Sequence, residues 1–151
     1  MSFSNKILLD SIYLLPIVGV DVEGIGEIMS ILKMLRERRG IEYYYTSFNI
    51  LEIIGKLGKT RYDEERIYIG LSSIKEEFNL IYPTIKSYIK ALKLKATGFK
   101  DLIDLLLYTT SLTNNIPLLT RDMHLIEFLK EHGETIDNII YEKELVKKYL
   151  K

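Results

Sequence analysis

Residues 101–122 read DLIDLLLYTTSLTNNIPLLTRD, and this stretch decides the fold. Over 101–113 apolar side chains fall nearly all round the helical projection, which predicts a helix buried on every side. Ile116 to Leu119 then make a short apolar run that reads as a strand, followed by Thr120-Arg121-Asp122. A helix without a polar face must lie inside the molecule. A strand apolar on both faces needs cover on both.

Outward from this stretch the same grammar repeats. Ile7-Leu8-Leu9 is a buried strand ending at Asp10, and Leu14 to Gly19 is a turn region with Pro16. Asp21 can cap a helix over 22–38 with Ile25, Ile28, Met29, Leu32 and Leu35 on one face. Arg36, Arg38 and Arg39 close that helix before Gly40, as its dipole prefers. Residues 41–46, with three tyrosines, form a second strand, and Ser47 starts a helix over 48–57. A helix over 63–78, a short strand at 80–82 stopped by Pro83, and a lysine-dotted helix over 84–95 lead to Gly98. Beyond Asp122 come a helix over 123–132 ended by Gly133, a strand at 139–141 and a helical tail at 142–150. Strands alternating with helices imply right-handed crossovers. The expected fold is α/β, a three-layer α/β/α sandwich on a mostly parallel sheet of about five strands. Residues 1–151 are expected to be one domain.

Bulk composition narrows the chemistry. Hydrophobic residues at 47% are enough to fill a core between layers. Lys+Arg and Asp+Glu both number 21, and a zero balance argues against coating nucleic acid or anionic membrane non-specifically. A local basic patch is still open. The absence of cysteine excludes disulfides and thiolate metal sites, and two histidines are too few to suggest zinc. Any metal here is expected to be a hard cation held by carboxylates. No basic segment precedes an apolar leader and no apolar run reaches spanning length, so the expectation is a cytoplasmic protein with no membrane association.

Ligands of open parallel sheets bind beyond the carboxyl ends of the strands. Asp10 directly follows the first strand, Glu52 lies one turn into the helix after the second, and Asp122 follows the strand ending at Leu119. Asp104 lies in the first turn of the helix feeding that strand. Four carboxylates in one cleft repel one another unless a cation joins them. Mg²⁺ or Mn²⁺ suits such oxygen ligands, lowers the pKa of water and stabilises charge on a phosphodiester. The implied chemistry is phosphodiester hydrolysis. Each acid also has a plainer reading. Asp122 can cap the 123–132 helix, Asp10 can be a turn residue, and Asp101 and Asp104 have capping-box spacing. Against this, Asp104 in Leu102-Ile103-Asp104-Leu105-Leu106-Leu107 and Glu52 in Ile50-Leu51-Glu52-Ile53-Ile54 are acids in apolar runs, costly to bury without a partner.

These residues carry a family resemblance. Leu8-Leu9-Asp10-Ser11-Ile12-Tyr13-Leu14 resembles the opening motif of PIN domains: a strand, an Asp, a Ser or Thr, then apolar residues. Thr46 through Ile53 is similar to the second motif, a Ser or Thr before a helix carrying a Glu. Asp104 through Ser111, then Ile116 through Asp122, resembles the closing pair, where a strand ends in Thr-Arg-Asp. The resemblance covers essentially the whole chain. It implies that Asp10, Glu52, Asp104 and Asp122 are catalytic, metal-binding acids, with Ser11 and Thr120 supporting them by hydrogen bonds. The choice of Asp104 over Asp101 rests on the family's usual spacing to Thr-Arg-Asp. A further family acid is missing, since Met123, His124 and Leu125 follow the motif. Asp21 and Glu23 are substitutes that helix capping explains equally well.

Many small prokaryotic PIN proteins are VapC-type toxins, which cleave RNA, are silenced by an antitoxin protein and are usually homodimers. The resemblance implies that state here, and PIN nucleases of RNA processing are the neighbouring reading. RNA phosphates have two lysine-rich candidates: Lys86, Lys90, Lys93, Lys95 and Lys100, and Lys56, Lys59 and Arg61. Solvated helix faces explain both stretches as well. Tyr43, Tyr44 and Tyr45 can stack on bases or alternate in a strand, and His124 can move protons or simply start a helix. Two other classes compete: a PIN-like binding module without catalysis, and a flavodoxin-like receiver domain. The receiver needs a phosphorylatable Asp after a middle strand and a Lys after a late one, a set not found here.

Overall fold

The computed structural model describes residues 5–149. Five strands, β1 (Lys6–Leu9), β2 (Glu42–Tyr45), β3 (Asn79–Leu80), β4 (Leu118–Thr120) and β5 (Ile139–Tyr141), make one sheet in the order β3-β2-β1-β4-β5. Every pairing is parallel. The helices are α1 (Gly26–Arg39), α2 (Ser47–Leu57), α3 (Glu64–Glu77), α4 (Ile85–Ala96), α5 (Leu102–Asn114), α6 (Met123–Glu131) and α7 (Glu142–Tyr149).

Strand side chains point alternately to opposite faces, and here the two faces become two cores. Ile7, Leu9, Tyr43, Tyr45, Leu119 and Ile140 pack with buried residues of α1, α3 and α7. Leu8 and Leu118, with Tyr44 and Ile139, pack with α4, α5 and α6. That is the α/β/α sandwich expected from the alternation of elements. α5 is its most enclosed helix, with Leu105 through Ser111 all buried, as its apolar circumference requires. The chain steps outward from β1 through β2 to β3, then returns to the other side of β1 with β4. The switch point therefore lies between β1 and β4, whose carboxyl ends carry Asp10 and Thr120.

Several local expectations are corrected. The first helix starts at Gly26, not 22, and Asp21 does not cap it; its N-cap is Ile25, without a side-chain bond. The reason is the turn at 23–24, where Gly24 has φ 67°, a left-handed value no helix contains. The region expected as a turn over 14–19 holds a 3₁₀ helix, Leu15–Val18, with Pro16 in its first turn, and a second 3₁₀ helix, Ser11–Tyr13, precedes it. β4 begins at Leu118, not Ile116, because Pro117 has no N–H for the ladder; its carbonyl alone accepts, from Leu8 N–H at 2.8 Å. β3 is two residues long, 79–80, against 80–82 expected. The tail helix forms as expected through Tyr149, and position 150 lies outside the described residues.

Candidate functional site

Asp10 leaves β1 in extended backbone and enters the first 3₁₀ helix. Its N–H donates to Leu119 O at 3.2 Å, continuing the β1–β4 ladder by one step. The Thr120 hydroxyl donates to Asp10 Oδ2 at 3.0 Å and accepts from the Asp122 N–H at 3.1 Å. One fully buried hydroxyl thus ties the acid at the end of β1 to the acid after β4.

Asp122 does cap α6: its Oδ1 accepts from the N–H groups of His124 at 2.9 Å and Leu125 at 3.3 Å. Capping uses one oxygen, and the same carboxyl also reaches Asp104. Asp101 likewise caps α5, accepting from the Asp104 N–H at 3.1 Å. Both caps therefore sit beside Asp104.

The electrostatics show how tightly the acids crowd. Asp10 is pushed up to about 6, mainly by burial, with the charges of Glu52 and Asp122 adding; the Thr120 hydroxyl and the Ser11 backbone oppose the rise. Asp104 is held well above the ordinary carboxylate range, first by burial, then by Asp10 and Asp101, and by hydrogen bonding with Asp122. Glu52, Asp101 and Asp104 each offer an oxygen within 4.8 Å of the others. Five carboxyl groups therefore converge at the switch point: Asp10, Glu52, Asp101, Asp104 and Asp122. Asp101 lies in the same cluster as Asp104. An all-oxygen anionic set of this kind fits a hard divalent cation and offers nothing to a soft one.

Glu52 reaches the cluster through a residue that sequence reading passed over. Asn49 is fully buried one turn earlier in α2. Its Nδ2 donates to Leu9 O at 3.2 Å and to Ser11 Oγ at 2.9 Å, fastening α2 to the end of β1. Its Oδ1 accepts from the Thr46 N–H at 2.6 Å, closing a capping box with Thr46. The spacing Thr46-x-x-Asn49 was the available signal. Ser11 is buried, and its hydroxyl oxygen accepts from Asn49.

Other candidates lie elsewhere. Lys56, Lys93 and Lys100 are exposed, on α2, on α4 and just before Asp101. Lys90 pairs with Glu134 at 2.7 Å. Tyr43 and Tyr45 are buried and Tyr44 is half-buried, the strand alternation rather than a stacking surface. His124 is exposed at the start of α6. Asp21 and Glu23 are exposed, and Glu23 contributes its carbonyl to Arg121 Nη1 at 2.9 Å. Arg121 also pairs with Glu142, a contact sequence reading did not foresee.

The PIN domain family model matches residues 7–130. No curated protein sequence matches the chain. Solved structures share the fold at low identity. The VapBC2 structure from Rickettsia felis, bound to a DNA fragment from the promoter, matches with TM-score 0.63 and 15% identity over 90% of this chain and 96% of that one. DNA-bound VapBC from Salmonella typhimurium gives TM-score 0.62 and 12% identity over 91% and 98%. VapBC-1 from nontypeable Haemophilus influenzae gives TM-score 0.61 and 18% identity over 91% and 98%.

Proposed function

The chain belongs to the PIN domain family, and from that membership we propose that it is a divalent-metal-dependent endoribonuclease of the VapC toxin type. The observation that carries this reading is the convergence of Asp10, Glu52, Asp101, Asp104 and Asp122 at the switch point of the sheet. Buried acids that repel one another are poor structural choices and good ligands. Asp10, Glu52, Asp104 and Asp122 would hold Mg²⁺ or Mn²⁺, with Asp101 at their side. The cation, when bound, supplies charge neutralisation for a phosphodiester and lowers the pKa of water for in-line attack.

The protein's own part is positioning. Thr120 aims Asp10 and fixes the Asp122 backbone in one contact, and Asn49 with Ser11 sets α2 so that Glu52 faces Asp10. Asp10, Glu52, Asp104 and Asp122 would repel a polyanion unless their charge is offset. Lys56, Lys90, Lys93 and Lys100 are proposed to hold RNA phosphates beyond them. Lys90 must leave Glu134 to do so.

An antitoxin protein is the proposed partner, because the fold neighbours are toxin–antitoxin complexes. A homodimer, residence in the cytoplasm and a single domain over the chain belong to the same reading. No helix among the described residues is long and apolar enough to cross a membrane. The test is cleavage of a long single-stranded RNA by the purified protein. Cleavage is expected with Mn²⁺ or Mg²⁺, to stop on adding EDTA, and to be lost in Asp10→Asn. Cleavage surviving in both EDTA and Asp10→Asn would sink the proposal.

A further inference from the structure

One carboxylate outside the cluster grips both strand ends that carry it. Glu142 opens α7. Its Oε1 accepts from the Tyr13 hydroxyl at 2.9 Å and from Arg121 Nε at 2.9 Å, and its Oε2 accepts from Arg121 Nη2 at 3.1 Å. Tyr13 closes the 3₁₀ turn after Asp10, its N–H donating to Asp10 O at 3.2 Å. Arg121 stands between Thr120 and Asp122, and its Nη1 donates to Glu23 O at 2.9 Å.

We infer that Glu142 is a positioning residue: through Tyr13 on one side and Arg121 on the other, it sets the spacing between the segments bearing Asp10 and Asp122. The inference rests on the nuclease reading above. Three features support it. The pair is shielded, with side-chain exposures of 27% for Arg121 and 13% for Glu142, so water competes weakly for its hydrogen bonds. The contact is a two-pronged fork, which fixes orientation as well as distance; lysine cannot reproduce it. Docking of α7 does not need Glu142, since Leu145 is buried in the core beside Val146 and Tyr149. A half-buried charge pair aimed at the turn between Thr120 and Asp122 is therefore more than an anchor for the tail.

Mn²⁺ titration calorimetry on the full chain, with thermal unfolding alongside, tests this. The proteins compared are wild type, Glu142→Gln, Arg121→Lys, the double variant and Leu145→Ala. Each single change in the pair is expected to weaken Mn²⁺ binding by about tenfold or more, the usual range for residues that orient metal ligands. The double variant should be no weaker than the worse single one, because both remove one coupled contact. Leu145→Ala should lower the melting temperature and leave Mn²⁺ affinity unchanged, separating positioning from docking. Folded Glu142→Gln with wild-type affinity overturns the inference; should that variant not fold, Arg121→Lys decides by the same criterion. Should wild type itself bind no Mn²⁺, the nuclease reading fails. The inference is then judged from metal-free crystal structures of wild type and Arg121→Lys. Loss of the Thr120–Asp10 bond in the variant supports it, and retention overturns it.

Discussion

At the scale of single residues, Thr120 carries more than its size suggests. Its hydroxyl donates to Asp10 and accepts from Asp122 N–H while wholly buried. Thr120→Val keeps the shape and removes both contacts. It is expected to cost about 1–3 kcal/mol in urea unfolding, because two buried groups lose partners, and to weaken Mn²⁺ binding about tenfold. Asp10 and Asp104 give a pH signature. Both are raised by the fold, Asp10 from 3.8 to about 6 and Asp104 further, so the native state holds protons that the unfolded chain has released. Their contribution to stability is full below the unfolded value and is lost as pH rises through the folded one. The metal-free melting temperature should therefore fall between about pH 4 and 6, and further above that as Asp104 ionises. Asp104→Asn should flatten the upper part. Added Mn²⁺ should raise the melting temperature at pH 7.5 and do little at pH 4, where protons occupy its ligands. The acids were legible in the sequence because acids in apolar runs are conspicuous. Asn49 and Glu142 were not, because an asparagine in a helix and a glutamate opening a tail helix look ordinary until tertiary contacts assign them.

At the scale of elements, α4 stands out for what it leaves uncovered. Its inner side buries Ser87, Ala91 and Leu94. Its outer side presents Ile85, Tyr88, Ile89 and Leu92 at helical spacing, with Ile85 77% and Leu92 68% exposed. Four apolar residues in a row on one helix face are more than an isolated soluble domain usually shows, and they suit the proposed homodimer. Leu92→Glu with Ile85→Lys is expected to shift the mass by light scattering from dimer to monomer, with melting little changed at low protein concentration. A monomeric wild type would remove this part of the proposal. The sequence reading placed this helix correctly and missed the stripe, because its lysines drew attention to the polar positions between. Boundaries failed where one residue overruled periodicity: Gly24 delayed α1, and Pro117 postponed β4.

At the scale of the whole molecule, the sandwich was readable because β1, β2, β4 and β5 carry alternate apolar residues for two different cores, and only a sheet covered on both faces satisfies that. Strand order was not readable, since nothing local in Ile7-Leu8-Leu9 says that Leu118-Leu119 will lie beside it. That late return has a consequence for the cell that makes this chain. The Thr120–Asp10 bond joins residues 110 positions apart, and the Tyr13–Glu142 bond joins residues 129 apart. A polypeptide still on the ribosome, or cut short by a premature stop before β4, cannot assemble the five carboxyl groups. The site is therefore withheld until β4 has been made and has left the ribosome.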